Sequence, residues 1–460
     1  MHDFDDFDQT KFLFEKHRCR SSSVNKTKTL LQRSKFSFLR LAKSDQSATQ
    51  MLFLNYVILL SILLTVARAN GSWKTIAPLP FARSDHTATT IKGIIYIAGG
   101  CNGAQNCDMA SGYCMCSSIT RNLVAYDPVT NSYTPRGALP PMPRARYRHL
   151  ACSVDDVIYF FGGRDLLDNL IREVDAFNAT SKKWLTNNFA SYPLGLGSDN
   201  SCSTVGNKIF IFGGYTDYYD QSLNATFSFE PYGNGALQSG GSGLWTKKKG
   251  ELIVGRGDFA STTRDTFIHV YGGYTVLDFC SPINDAEVYD TVTDTFTRTA
   301  SMPMKLAEKD DGLFVGGRIV AIGGESKSVQ KGCTDLNITA LTSVISYHAS
   351  SDTWRNETPM AEPRMRFASS NVGDVVYSFG GQGLIEDGFD FLPLIYTAVS
   401  FSYAISPPAA PLEKVFFTND IIGAVIGTAA ATIVIASAVV LCKRRQLLAA
   451  AQRQLGSTVV

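Results

Sequence analysis

Six times along the chain a short run of β-branched and aromatic residues ends in two glycines. These are IIYIAGG (Gly99), VIYFFGG (Gly162), IFIFGG (Gly213), FIHVYGG (Gly272), IVAIGG (Gly323) and VVYSFGG (Gly380). The first glycines are separated by 63, 51, 59, 51 and 57 residues. A repeat of this period is one supersecondary unit that cannot bury its apolar faces alone and must stack on its neighbours. Each run is followed, after a loop of variable length, by an aromatic strand, such as those carrying Tyr126, Phe177, Phe229, Tyr289 and Tyr347 after the first five. A further aromatic then opens a short segment, at Tyr133, Trp184, Trp245, Phe296 and Trp354.

In this order the motifs resemble the kelch repeat, whose pattern is a Pro-Arg approach, a strand ending in Gly-Gly, a Tyr-Asp strand and a Trp strand. The resemblance covers residues 73 to about 404 and implies an all-β propeller in which each repeat is a four-stranded blade. Gly-Gly allows a tight turn at the end of a buried strand where a Cβ would clash. Six sets of the first three strands are present, but only five fourth strands follow them. The sixth stands in front of the repeats, at Trp73-Lys74-Thr75-Ile76. The expected fold is therefore a six-bladed kelch-type propeller whose last blade is completed by the chain's own N-terminal strand, which also hides the edges of an open array.

Two apolar runs bracket the repeats. Residues 51–69 end in Ala67-Arg68-Ala69, a small-x-small pattern that reads as a cleaved signal peptide. Residues 421–441 carry no charge and are followed by Lys443-Arg444-Arg445, which reads as a transmembrane helix with its end in the cytosol. The expected organisation is a polar extension (1–50), signal peptide (51–69), propeller ectodomain (70–406), juxtamembrane linker (407–420), transmembrane helix (421–441) and cytosolic tail (442–460). That is a single-pass type I membrane protein of the secretory pathway or plasma membrane, with the propeller extracellular or lumenal. N-x-S/T acceptors at Asn178, Asn224, Asn337 and Asn356, with Asn70 near the cleavage point, agree with a glycoprotein. Gly423 and Gly427 suggest a weak homodimer contact, and Thr458-Val459-Val460 resembles a C-terminal ligand for a backbone nest. Residues 70–420 carry 28 Lys/Arg against 35 Asp/Glu. That acidic balance argues against nucleic acid as a partner.

Cys101, Cys107, Cys114 and Cys116 crowd into the first long loop. Their spacing lacks the paired C-x2-C of a tetrahedral zinc site, so disulfides are expected, with three connectivities open. Cys280 and Cys333 fall in corresponding loops of adjacent blades and are expected to bridge. Cys152 and Cys202 sit on inner strands, one position out of register with each other, and are expected to stay unpaired. Cys442 at the membrane edge is a candidate for acylation.

Some kelch-type propellers, galactose oxidase among them, are enzymes. The histidines of residues 70–420 are His86, His149, His269 and His348, which do not make a shared metal centre, and no triad or carboxylate pair stands out. The expectation is a non-enzymatic binder of a protein or glycan without a cofactor. A carbohydrate-active enzyme and a structural adhesion protein are the alternatives. Binding is expected on the face that carries the long loops. Arg83, Arg146, Arg256 and Arg364, each sixteen residues before a Gly-Gly, are expected at the channel mouth, and Tyr215, Tyr218, Tyr219 and Tyr274 farther out. The Arg256-Gly257-Asp258 triplet falls on the repeat's own R-x-D position, which favours Arg-Asp pairing around the mouth over a recognition loop.

Overall fold

The computed structural model describes residues 73–404, apart from 104, 109–112, 187, 194, 234–240, 277–280, 308–311, 327–339, 384–394 and 397–399. The chain divides into Met1–Asn70 and Gly71–Val460, and every described residue lies in the second unit.

The runs that end in Gly-Gly are the second strands of six antiparallel, four-stranded sheets. The first sheet orders Thr87–Ile91, Ile94–Ala98, Leu123–Asp127 and Ser132–Tyr133 from inside to outside. The innermost strands touch in sequence around a ring: Thr87–Ile91, Leu150–Val154, Ser201–Val205, Ala260–Arg264, Leu313–Val315, Ala368–Val372 and back to Thr87–Ile91. The ring closes as expected. Trp73–Ile76 pairs antiparallel with Ser400–Ala404, Trp73 opposite Tyr403 and Ile76 opposite Ser400, and so supplies the outer strand of the sixth sheet.

Side-chain alternation explains why these strands read as unbroken apolar runs. In Ile94–Ala98, Ile95 and Ile97 pack against Phe379 and Tyr377 of the sixth blade. Tyr96 and Ala98 point the other way, against Ile158 and Phe160 of the second. Both faces of each sheet are buried by neighbouring blades, so period-two patterning disappears from the sequence. The rings that follow Gly-Gly wedge the blades apart: Phe229 lies among Tyr159, Phe161 and Trp245, with ring centroids 4.8–5.8 Å away.

Two expectations are corrected here. The first is the type I membrane placement. Among the described residues no helix is long and apolar enough to cross a membrane, and the described elements are strands whose apolar faces are consumed between blades. The runs at 51–69 and 421–441, Gly423, Gly427 and the tail lie outside the described residues, as do Cys280, Cys333, Asn337 and Asn70. The second concerns Cys152 and Cys202, which form a disulfide joining the inner strands of the second and third blades, with Cα atoms 6.3 Å apart. Register holds within a sheet, but neighbouring sheets are staggered around the channel, so an offset of one residue brings the sulfurs together instead of separating them.

Candidate functional site

The two ends of the propeller differ in how the chain crosses them. At one end the first two strands of the first blade are joined by Lys92 and Gly93 alone, both at positive φ (49° and 80°), the geometry of a two-residue hairpin. Asp155-Asp156 and Gly373-Asp374 do the same in the second and sixth blades. At the other end lie the long loops, including the four-cysteine segment. A disulfide joins Cys101 to Cys116. Between them Gln105–Asp108 and Tyr113–Cys116 form a small ribbon whose register sets Cys107 opposite Cys114. Three connectivities were open from the sequence, and the observed pair removes two of them.

The four expected ligand-binding arginines are not at the surface. Arg83, Arg146, Arg256 and Arg364 are 0–1% exposed. In each, one guanidinium nitrogen donates to the carbonyl of the first glycine of its own blade: Gly99 at 3.1 Å, Gly162 at 3.0 Å, Gly272 at 3.1 Å and Gly380 at 2.7 Å. Their backbone carbonyls accept from the second glycine of the preceding blade, Gly100 N to Arg146 O at 2.9 Å and Gly381 N to Arg83 O at 2.9 Å closing the ring. Each arginine therefore fastens two blades. Arg146 pairs with Asp175, and Arg256 with a fully buried Glu287, both at 2.5 Å. At the corresponding place the first blade has Val124, and burial holds the Arg83 guanidinium down to about 10. Arg256 is thus locked below the surface with Glu287 rather than Asp258, and the RGD triplet offers no exposed arginine.

What occupies the neck is the residue two positions later. Asp85, Arg148, Asp199, Asp258 and Arg366 all stand at φ between 50° and 55°, a conformation that side chains other than those of Gly, Asn and Asp seldom adopt. The backbone explains it. Asp85 N donates to Arg366 O, Arg148 N to Asp85 O and Asp258 N to Asp199 O, at 2.9, 3.1 and 3.0 Å, so the left-handed turn lets adjacent blades join across the neck. The side chains form a charged collar. Arg148 lies 3.7 Å from Asp85 and 3.9 Å from Asp199, and it donates to the Tyr219 hydroxyl at 2.9 Å. Tyr219 in turn donates to Asp199 at 2.8 Å. The fifth blade's counterpart falls within 308–311, outside the described residues. Asp85, Asp199 and Asp258 were visible in the sequence as a column fourteen residues before Gly-Gly; Arg148 and Arg366 share that column, and reading it through every blade would have found them.

The four tyrosines separate. Tyr215 and Tyr274 are buried and donate to Asp258 at 2.9 Å and Glu325 at 2.5 Å, tying each blade to the next. Their expected place on the outer surface is corrected: each directly follows Gly-Gly, where the chain still runs inside the ring. Tyr219 is half-buried in the collar. Tyr218 alone stands out, 90% exposed. The inner strands line an open space of ≈ 300 Å³ bordered by Thr89, Ser153, Ser203, Thr262, Ser370 and the Cys152–Cys202 pair, among others. Two of the histidines are packed into the fold. His86 and His149 are buried, and a Cβ on Gly99 would stand 2.7 Å from the His149 ring. Burial, aided by the charges of Arg83 and Arg146 respectively, holds both imidazoles well below their usual value. Of the N-x-S/T asparagines, Asn224 and Asn356 are exposed and Asn178 is half-buried.

The family description KLHDC2/KLHL20/DRC7 Kelch-repeats domain matches residues 86–324. The chain belongs to this kelch-repeat family. It is similar to Kelch domain-containing protein 3 of Homo sapiens, 23% identical over 316 residues that make up 65% of this chain and 77% of the relative. The Bos taurus protein of the same name is 24% identical over 261 residues, 54% and 63% of the two chains. Kelch-like protein 25 of Xenopus tropicalis is 22% identical over 237 residues, 52% and 36%. The chain therefore spans under two thirds of the bovine relative and about a third of the amphibian one.

Proposed function

We propose that this kelch propeller is a non-catalytic protein-binding module and that its partner meets the long-loop face. The observation that carries the reading is the asymmetry of the two ends: short hairpins at one, and at the other long loops fastened by buried polar side chains with Tyr218 held out to solvent. Loops on a rigid scaffold are where binding residues concentrate, and a pre-ordered aromatic tip loses little entropy on association. A glycan as ligand is less well supported, since Tyr215 and Tyr274 are buried and leave no multi-ring platform for a sugar. The test is a photo-crosslinking residue placed at Tyr218, on the loop face, and at Val292, an exposed position on the opposite face (76%). Protein adducts are expected from position 218 and not from 292. Equal adducts from both, or adducts from 292 alone, would overturn the reading.

A further inference from the structure

Two neighbouring loop tips on this face form a feature outside the channel that shares only Tyr219 with the collar. In the second blade Arg164-Asp165-Leu166-Leu167-Asp168-Asn169 follows Gly-Gly, and in the third Tyr215-Thr216-Asp217-Tyr218-Tyr219-Asp220. One buried cation holds both. Arg164, 2% exposed, donates to the Asp168 carbonyl at 2.9 Å and its carboxylate at 3.2 Å, and across to the Asp217 carbonyl of the next blade at 3.2 Å. Its guanidinium also lies over the Tyr219 ring, 4.6 Å from the centroid.

Each tip is then folded by polar bonds of its own. Asp165 accepts from the backbone N–H groups of Leu167 and Asn169 at 2.9 and 2.8 Å. In the third blade Tyr219 N donates to the Thr216 carbonyl at 3.0 Å, and the Thr216 hydroxyl donates to the Asp220 carboxylate. Leu166, Leu167 and Tyr218 contribute little to this ordering and are 48%, 78% and 90% exposed. Three large apolar side chains on fastened, adjacent tips are a preorganised anchor point. Around them stand Asp165, Asp168, Asp217 and Asp220; Asp168 is paired with the buried Arg164 and Asp217 lies 3.6 Å from Arg172, so the negative charge of the rim comes from Asp165 and Asp220. The rim is acidic.

We infer that the tips of the second and third blades, Leu166, Leu167 and Tyr218 within their aspartate rim, dock a partner protein through a segment that carries a bulky apolar residue flanked by lysines or arginines. The apolar trio supplies contact area, and the rim favours cations and repels acidic segments. This assignment rests on the protein-binding reading above and specifies the chemistry of the partner.

The experiment is fluorescence anisotropy with the full chain and three labelled peptides: one with Leu-Phe between lysines and arginines, one with those cations replaced by glutamates, and one with Leu-Phe replaced by alanines. The first peptide is expected to bind, more weakly as salt rises, and the other two at least about tenfold less well. Leu167→Ser with Tyr218→Ser should weaken the first peptide about tenfold or more. Val129→Ser on the opposite face should leave it unchanged, and unaltered thermal unfolding of both variants shows that the fold is kept. Absence of binding, equal binding of the glutamate or alanine peptide, or an unchanged affinity in the double variant would overturn the inference. So would sedimentation showing that these side chains hold a second copy of this chain. Failure of the broader reading is seen separately: crosslinks at position 218 to a partner without a basic, apolar segment refute this inference and leave that reading standing.

Discussion

At the scale of single residues, the buried polar groups are held in specific states by what surrounds them. Burial keeps His86 and His149 well below the usual imidazole value and His269 at about 4, the charge of Arg264 adding to the effect on the last. The unfolded chain titrates near 6.5 and so takes up protons that the folded protein refuses. Stability is therefore full above about pH 6.5 and falls as pH drops toward the folded values, by up to about 1.4 kcal/mol per pH unit for each histidine. Urea midpoints should stay level from about pH 7.5 to about pH 6.5 and then fall toward about pH 5; a profile that stays flat below about pH 6.5 would mean that the folded protein accepts these protons. The arginines show why a sequence pattern can be correct in position and misleading in role. The sixteen-residue spacing to Gly-Gly was legible, but it records an internal hydrogen bond, since each guanidinium reaches the glycine carbonyl of its own blade.

At the scale of elements, the glycines and cysteines show how one blade is fastened to the next. A Cβ on Gly100, at φ 99°, would lie 2.5 Å from the Ser84 carbonyl and 2.7 Å from the His86 Cβ, so the second glycine is required by a close approach as well as by its turn. The Cys152–Cys202 disulfide adds a covalent tie between the inner strands of the second and third blades, closing a loop over a sequence separation of 50. Such a crosslink restricts the unfolded chain, and changing both cysteines to serine is expected to lower stability by about 2–4 kcal/mol. Denaturant unfolding of the variant against the oxidised parent checks this; equal midpoints would show that the bridge contributes nothing. The strands themselves were legible because apolar runs ending in Gly-Gly leave few alternatives. The bridge was not, since a one-residue offset in sequence says nothing about the stagger between two sheets.

At the scale of the whole molecule, closure depends on four residues far from the strands they complete. Trp73 stacks on Tyr403 with centroids 5.0 Å apart, and its indole N–H donates to the Thr358 carbonyl in the connection from the fifth blade, at 3.1 Å. Without Trp73–Ile76 the strand Ser400–Ala404 becomes an open edge that can pair with another chain. Removal of residues 73–76 is expected to lower the melting temperature by several degrees, on the order of 2–4 °C per kcal/mol lost, and to produce self-association in sedimentation. A monomer that melts at the parent temperature would show that the ring does not need this strand.

The sequence by itself determined the number of blades, the strands that form them, the closing strand at the front and the face that carries the long loops, because all of these follow from repeated local patterns. Tertiary structure decided the roles of the side chains between those patterns. Arg83 and Arg256 fasten blades, Tyr215 and Tyr274 lie inside the ring, and Cys152 joins Cys202. Arg148 spans two aspartates from different blades, while Leu167 and Tyr218 stand clear of the fold. The physical reason is that register within a blade is set by backbone hydrogen bonds between strands close in sequence. Contacts between blades depend on the rotation of one sheet against the next, which no single repeat encodes.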